Sequence, residues 1–136
     1  MLKNRLLIIL SLLLLSWLSG RAQQVSVSAR LDSNHIVIGD QLKLHLSVTA
    51  DTNSTITIQD AKKWQLINCE VVESLPLNFA SKDSKRIYNQ DVIITSFDTG
   101  TAQILEIPVF VNDTVLAAKS SSLSFRVDSL PVFVDT

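Results

Sequence analysis

The chain carries two histidines, His35 and His45, and a single cysteine, Cys69, the residue types that most often perform acid–base, nucleophilic or metal chemistry. The histidines belong to different extended segments, and no His, Cys and carboxylate grouping has the ligand spacing of a zinc site or of a calcium loop. A Ser-His-Asp arrangement is defined by geometry and not by chain order, so the serines leave it open on paper. The Gly-x-Ser-x-Gly elbow that would expose such a serine is missing. The three glycines are Gly20, Gly39 and Gly100, and the last two sit in turn contexts, so no phosphate-cradling loop can be built. No catalytic, cofactor-binding or metal-ligating residue is assigned, no cofactor is expected, and the chain is read as a non-enzyme.

The same residues have simpler structural roles. Cys69 lies in Leu66-Ile67-Asn68-Cys69-Glu70-Val71-Val72, among strand formers and without a local base, and is expected as a buried structural thiol. As the only cysteine it cannot form an internal disulfide. His35, beside a turn, is expected to be solvated, and His45 should face outward from its strand. Trp64 follows Lys62-Lys63 and could stack on a sugar, although a core aromatic is the expected role. Lys82-Asp83-Ser84-Lys85-Arg86 reads as a solvated loop whose charges nearly cancel. Asn53-Ser54-Thr55 and Asn112-Asp113-Thr114 match the glycosylation triplet but read as turns.

The N-terminus follows the order of a secretory signal. Lys3 and Arg5 form a basic start, Leu6 to Leu18 is an apolar run, and Gly20-Arg21-Ala22 supplies small residues at −3 and −1, so residues 1–22 are expected to be removed. A run of about 13 residues is short of the roughly 20 that cross a bilayer as a helix. Removal takes away three of the 12 basic residues and leaves 9 against 13 acidic ones, a net charge of −4 with both histidines neutral. That balance disfavours nucleic acid and anionic membranes as partners. No second hydrophobic span follows, so no transmembrane segment is expected in the mature chain. Residues 23–136 are a size suited to one domain.

That remainder alternates with the period of two expected of half-buried strands. Val25, Val27, Ala29 and Leu31 alternate with Ser26, Ser28 and Arg30. Leu42, Leu44, Leu46 and Val48 alternate with Lys43, His45, Ser47 and Thr49. Further strands are predicted at Ile36–Ile38, Thr55–Ile58, Trp64–Val72, Ile87–Phe97, Leu105–Val111, Val115–Ala117 and Leu123–Val127, with turns at Asp51–Ser54 and a loop at Ser81–Lys85. Pro108 lacks an amide hydrogen and predicts an edge position or a bulge. Short strands joined by turns, without a sustained helical repeat, predict an all-β fold. The leading version is an immunoglobulin-like β-sandwich of about seven to eight antiparallel strands. The Asp98-Thr99-Gly100 corner has Ala102 where such folds often carry a tyrosine, so a tyrosine hydroxyl tie is not available.

In Ile36-Val37-Ile38-Gly39-Asp40-Gln41-Leu42, in Tyr88-Asn89-Gln90 leading to Thr95-Ser96-Phe97-Asp98-Thr99-Gly100, and in the closing Leu130-Pro131-Val132-Phe133-Val134-Asp135-Thr136, the chain resembles the BatD or oxygen tolerance family of exported bacterial proteins. The signal sequence ending in Ala22-Gln23 and Val25-Ser26-Val27-Ser28-Ala29 belong to the same pattern. The matched residues correspond to the first domain of a family member. The resemblance implies a periplasmic or cell-envelope location. It also implies protein–protein contact with envelope proteins, including membrane proteins with von Willebrand A domains. Candidate contact surfaces are Pro108 and the loops Asp51–Ser54 and Ser81–Lys85. A second expectation, from a different class, is a carbohydrate-binding or cell-surface adhesion module built on Trp64, Tyr88 and Phe79.

Overall fold

The computed structural model describes residues 2–18 and 25–131. The expected cleavage triplet Gly20-Arg21-Ala22 and the closing residues 132–136 of the family pattern lie outside them. Helix α1, Leu2–Leu18, follows from a Leu- and Ile-rich stretch with no glycine or proline to interrupt it. Apolar side chains from Leu2 to Leu14 are exposed all round it. Among the described residues no helix is long and apolar enough to cross a membrane.

The remainder is a β-sandwich. Its strand segments are β1 (Ser26–Leu31), β2 (His35–Val37), β3 (Gln41–Asp51), β4 (Ile56–Ile58), β5 (Leu66–Ile67) and β6 (Glu70–Ser74). They continue with β7 (Asn78–Lys82), β8 (Lys85–Thr95), β9 (Gly100–Ile104), β10 (Pro108–Val111), β11 (Val115–Lys119) and β12 (Leu123–Asp128). One sheet runs β1-β3-β8-β6, and β7 continues the line of β6 along β8. The other face is formed by β2-β12-β9-β5 together with β11-β10-β4. Joining β1 with β2, β4 with β5, β6 with β7, β9 with β10 and β11 with β12 gives seven strand positions, A to G. Their order, ABED against CFG, is that of an immunoglobulin-like sandwich. Strand A divides between the sheets: β1 pairs antiparallel with β3, whereas β2 pairs parallel with β12. That parallel pair departs from the antiparallel expectation.

The core comes from inward-facing alternate residues. On β3, Leu42, Leu44, Leu46, Val48 and Ala50 are all buried, facing Tyr88, Val92 and Ile94 of β8 in register, and Ala102, Ile104, Ile107, Val109, Phe125 and Val127 from the opposite sheet. Each large aliphatic residue removed from water there contributes about 1.5–3 kcal/mol.

Several expectations are corrected by the fold. Trp64–Val72 is not one strand. Asp60 caps a 3-10 turn over Ala61–Lys63 by accepting from the Lys62 amide at 3.1 Å. The chain then pairs briefly as β5, reverses at Asn68 with φ of 56°, and enters the other sheet as β6. Leu105–Val111 is likewise broken. Strand F runs as β9, creases at Leu105–Ile107, and resumes as β10 with the opposite parity inward. Strands C and G break at the same level. There the Leu105 amide donates to the Gln65 carbonyl at 3.0 Å and the Ser120 amide donates to the Ile107 carbonyl at 2.9 Å, with Ser120 Oγ accepting from the Ile107 amide at 2.9 Å. Pro108 opens β10, which lies between β11 and β4 and is not an edge; the expected bulge is found one residue on, between Val109 and Phe110. Ser81–Lys85 is not a loop but the tip of the β7–β8 hairpin, closed by Asp83 and Ser84 alone.

Candidate functional site: the B–C, D–E and F–G loop end

Three connections converge at one end of the sandwich. The B–C connection, residues 52–55, lies in the middle. On one side the Thr52 amide donates to the Ser84 carbonyl at 3.1 Å, and Asp51 is the register partner of Lys85. On the other, the Asn112 amide donates to the Thr55 carbonyl at 3.0 Å and Thr57 Oγ1 donates to Asp113 Oδ1 at 2.5 Å. The two candidate loops Asp51–Ser54 and Ser81–Lys85 are thus brought together, and the F–G turn, which sequence reasoning passed over as a contact surface, completes the set. Pro108 is not part of it.

The backbone here is held in an uncommon conformation. Of the five non-glycine residues with positive φ among the described residues, four belong to this end: Asp83 (52°), Ser84 (62°), Asn112 (53°) and Asp113 (64°). Asp83 and Ser84 form a two-residue hairpin turn with both central residues left-handed, the geometry that matches strand twist and is easiest for Asn or Gly, whereas Asn112 and Asp113 open the three-residue turn Asn112–Thr114 between Val111 and Val115. Ser84 fits least well, because its Cβ crowds the following carbonyl.

Side chains at this end are incompletely satisfied. Ser54 Oγ and Arg86 Nε are buried without a hydrogen-bond partner, and they are the two such side-chain atoms among the described residues. Arg86 sits opposite Ala50, which is fully buried, so its side chain enters the mouth between the sheets. Its Cζ lies 4.9 Å from the centroid of the Phe79 ring, whose own centroid is 6.0 Å from that of Tyr88. Phe79 is 62 % exposed, and Val115 and Leu116 beyond the F–G turn are also exposed. A guanidinium stacked on an open ring gains about 0.5–1 kcal/mol at such a site. It still has donors left for a partner. Lys82, Lys85 and Arg86 are balanced by Asp51, Asp83 and Asp113, so contact here is governed by shape, apolar area and individual hydrogen bonds more than by net field.

Other sequence candidates fall elsewhere. Trp64 and Tyr88 are buried, and Trp64 Nε1 donates to the Gln59 carbonyl at 2.9 Å, so the three-ring platform of Trp64, Tyr88 and Phe79 is not formed and only Phe79 is open. Cys69 is half-buried at the C–D turn with Sγ 3.5 Å from the Gln103 carbonyl, and burial pushes its thiol up to about 11 despite hydrogen bonds with the Ile67 and Gln103 backbone. It is therefore a poor nucleophile at neutral pH. His35 is exposed on β2, with Nε2 4.0 Å from Asp128 Oδ2. His45 faces outward as expected, but Nδ1 lies 2.6 Å from Asp91 Oδ1, a pairing that requires the β3–β8 register and is invisible in sequence. Among the described residues no group of three or more His, Cys, Asp and Glu side chains could hold a metal ion.

The missing tyrosine tie has a substitute. Ser96, at the E–F corner, is fully buried and its hydroxyl lies 2.6 Å from the Asn68 carbonyl and 3.1 Å from that of Asp98, while Asn68 Nδ2 donates to the Asp98 carbonyl at 3.1 Å. The corner is anchored to the C–D turn instead of to strand F. Compared with protein-family models and with curated proteins, the chain matches none.

Proposed function

We propose that this protein is an exported, non-enzymatic immunoglobulin-like domain that acts by protein–protein contact in the bacterial envelope, through its B–C, D–E and F–G loop end. The observation that carries the reading is the convergence there of four left-handed residues, an open Phe79–Arg86 pair and two buried polar atoms without partners. Backbone strain and unsatisfied polar groups cost stability, and they concentrate where a surface serves binding. Export is supported by the basic start, the apolar run and the small residues at Gly20 and Ala22. The resemblance to BatD-type oxygen tolerance proteins points to von Willebrand A-type membrane proteins as the first partners to seek.

The test is site-specific photo-crosslinking in intact cells, with the photoreactive group at Phe79 or, as a control, at exposed Ser124 on strand G. The reading expects a discrete envelope protein crosslinked from position 79 and absent from position 124. Equal labelling from both positions, or none from position 79, would overturn it.

A further inference from the structure

The outer face of the ABED sheet carries an ordered set of polar residues that the loop-end reading does not use. In cross-strand register, Ser28, Ser47, Asn89 and Asn78 form one row over β1, β3, β8 and β7, and Arg30, His45 and Asp91 form the next over β1, β3 and β8. Between them is an open cleft of about 400 Å³ lined by Ser28, Arg30, His45, Ser47, Asn89 and Asp91. A neighbouring cleft of about 290 Å³ shares Asn89 and Asp91 and is walled by Leu75 and Pro76, where the Leu75 amide donates to the Asp91 carbonyl at 2.9 Å. His45 and Asp91 are about a quarter to a third exposed (28% and 36%), as at the other outward positions of the central strand β3.

The hydrogen-bonding pattern selects a ligand class. Asp91 Oδ1 lies 2.6 Å from His45 Nδ1, and that contact leaves Nε2 as the ring nitrogen open to a ligand. With Asp91 engaged by His45, the charged group of the cleft without a charged partner among the described residues is Arg30. A guanidinium favours a planar carboxylate, which it can hold by two parallel hydrogen bonds. Asn89, Ser28 and Ser47 each offer both a donor and an acceptor, which suits adjacent hydroxyl groups. We propose that this cleft binds a small sugar acid, with its carboxylate on Arg30 and a ring hydroxyl hydrogen-bonded to His45 Nε2. The site is independent of the loop end and of the ring set Trp64, Tyr88 and Phe79.

The experiment is calorimetric titration of the purified protein with glucuronate, with glucose and acetate as probes of the two halves of the interaction. Saturable glucuronate binding is expected, at least tenfold tighter than either glucose or acetate. Removing a hydrogen bond to a charged group weakens binding by about ten- to a hundredfold, so Arg30→Gln should reduce glucuronate affinity to the level of glucose. Arg30 is exposed on an edge strand, so that variant keeps the fold. His45→Phe should weaken glucuronate and glucose alike. No saturable glucuronate binding, glucuronate no tighter than acetate, or undiminished binding by Arg30→Gln would each overturn the assignment.

Discussion

Replacing Ser96 by alanine removes one oxygen atom from a fully buried position, yet it should be among the more damaging conservative changes in the chain. The hydroxyl donates at 2.6 Å to the Asn68 carbonyl, 28 residues away along the chain, and sits 3.4 Å from the Asp98 amide as its acceptor. The substitution leaves the Asp98 amide without that acceptor and the Asn68 carbonyl without that donor. A net hydrogen bond contributes about 0.5–1.5 kcal/mol, and stranding a buried partner costs about 1–3 kcal/mol. Because the Asn68 side chain still reaches the Asp98 carbonyl at 3.1 Å, the corner keeps one of its ties, and the expected loss is about 2 kcal/mol. With a urea m value of about 1–3 kcal/mol/M for a domain of this size, the midpoint should fall by roughly 1 M at unchanged m. Ser124→Ala, on an exposed strand position, is the control and should stay within about 0.5 kcal/mol. Hydrogen exchange should locate the loosening at the C–D turn and the E–F corner together. A loss below about 0.5 kcal/mol for Ser96→Ala, equal to the control, would refute the claim that this hydroxyl replaces the tyrosine tie.

The Cys69 thiol, raised by burial to about 11, is neutral in the fold over a range where the unfolded thiol ionises. Its contribution to stability is complete below about pH 9, the ordinary thiol value, and is lost as pH rises toward 11; urea midpoints measured from pH 8 to 11 should therefore decline less steeply in Cys69→Ala than in the parent. Ser84 holds φ of 62° at the second position of the β7–β8 turn, so Ser84→Gly, which makes the Asp-Gly pair preferred in such turns, should stabilise the protein by about 1 kcal/mol in thermal unfolding. A destabilised Ser84→Gly would show that the serine side chain, and not the backbone, sets the turn.

The elements with clean two-residue alternation were legible because each has one face against the core. β3 is the clearest: Leu42, Leu44, Leu46 and Val48 fix both its extent and its inward face. Composition misled at Ser81–Lys85, where five polar or charged residues conceal a hairpin whose turn lacks the Asn-Gly or Asp-Gly signature. It misled again at Trp64–Val72, since strand formers continue across Asn68 while the chain changes sheets there. Trp64 could be placed in the core by type, but its carbonyl partner at Gln59 depends on the capped turn between them. The loop end and the polar cleft were legible only as separate residues. Asp51 and Lys85, or His45 and Asp91, are 34 and 46 positions apart, and only the β3–β8 register makes them neighbours.

Strand E shows why the two proposed surfaces can be altered separately. Successive side chains on β8 point to opposite faces. Arg86 and Tyr88 turn inward to the Phe79 ring and the mouth between the sheets, whereas Asn89 and Asp91 turn outward to the polar cleft. β7 divides in the same way, with Phe79 opposite Tyr88 and Asn78 opposite Asn89. A change at Phe79 or Arg86 therefore leaves the row Arg30, His45 and Asp91 intact, and a change at Arg30 leaves the loop end intact. A one-residue slip of β8 would exchange the two sets and place Asp91 in the core. The buried run Val92, Ile94 and their β3 partners opposes that slip, so the residues that fix the core also fix both surfaces.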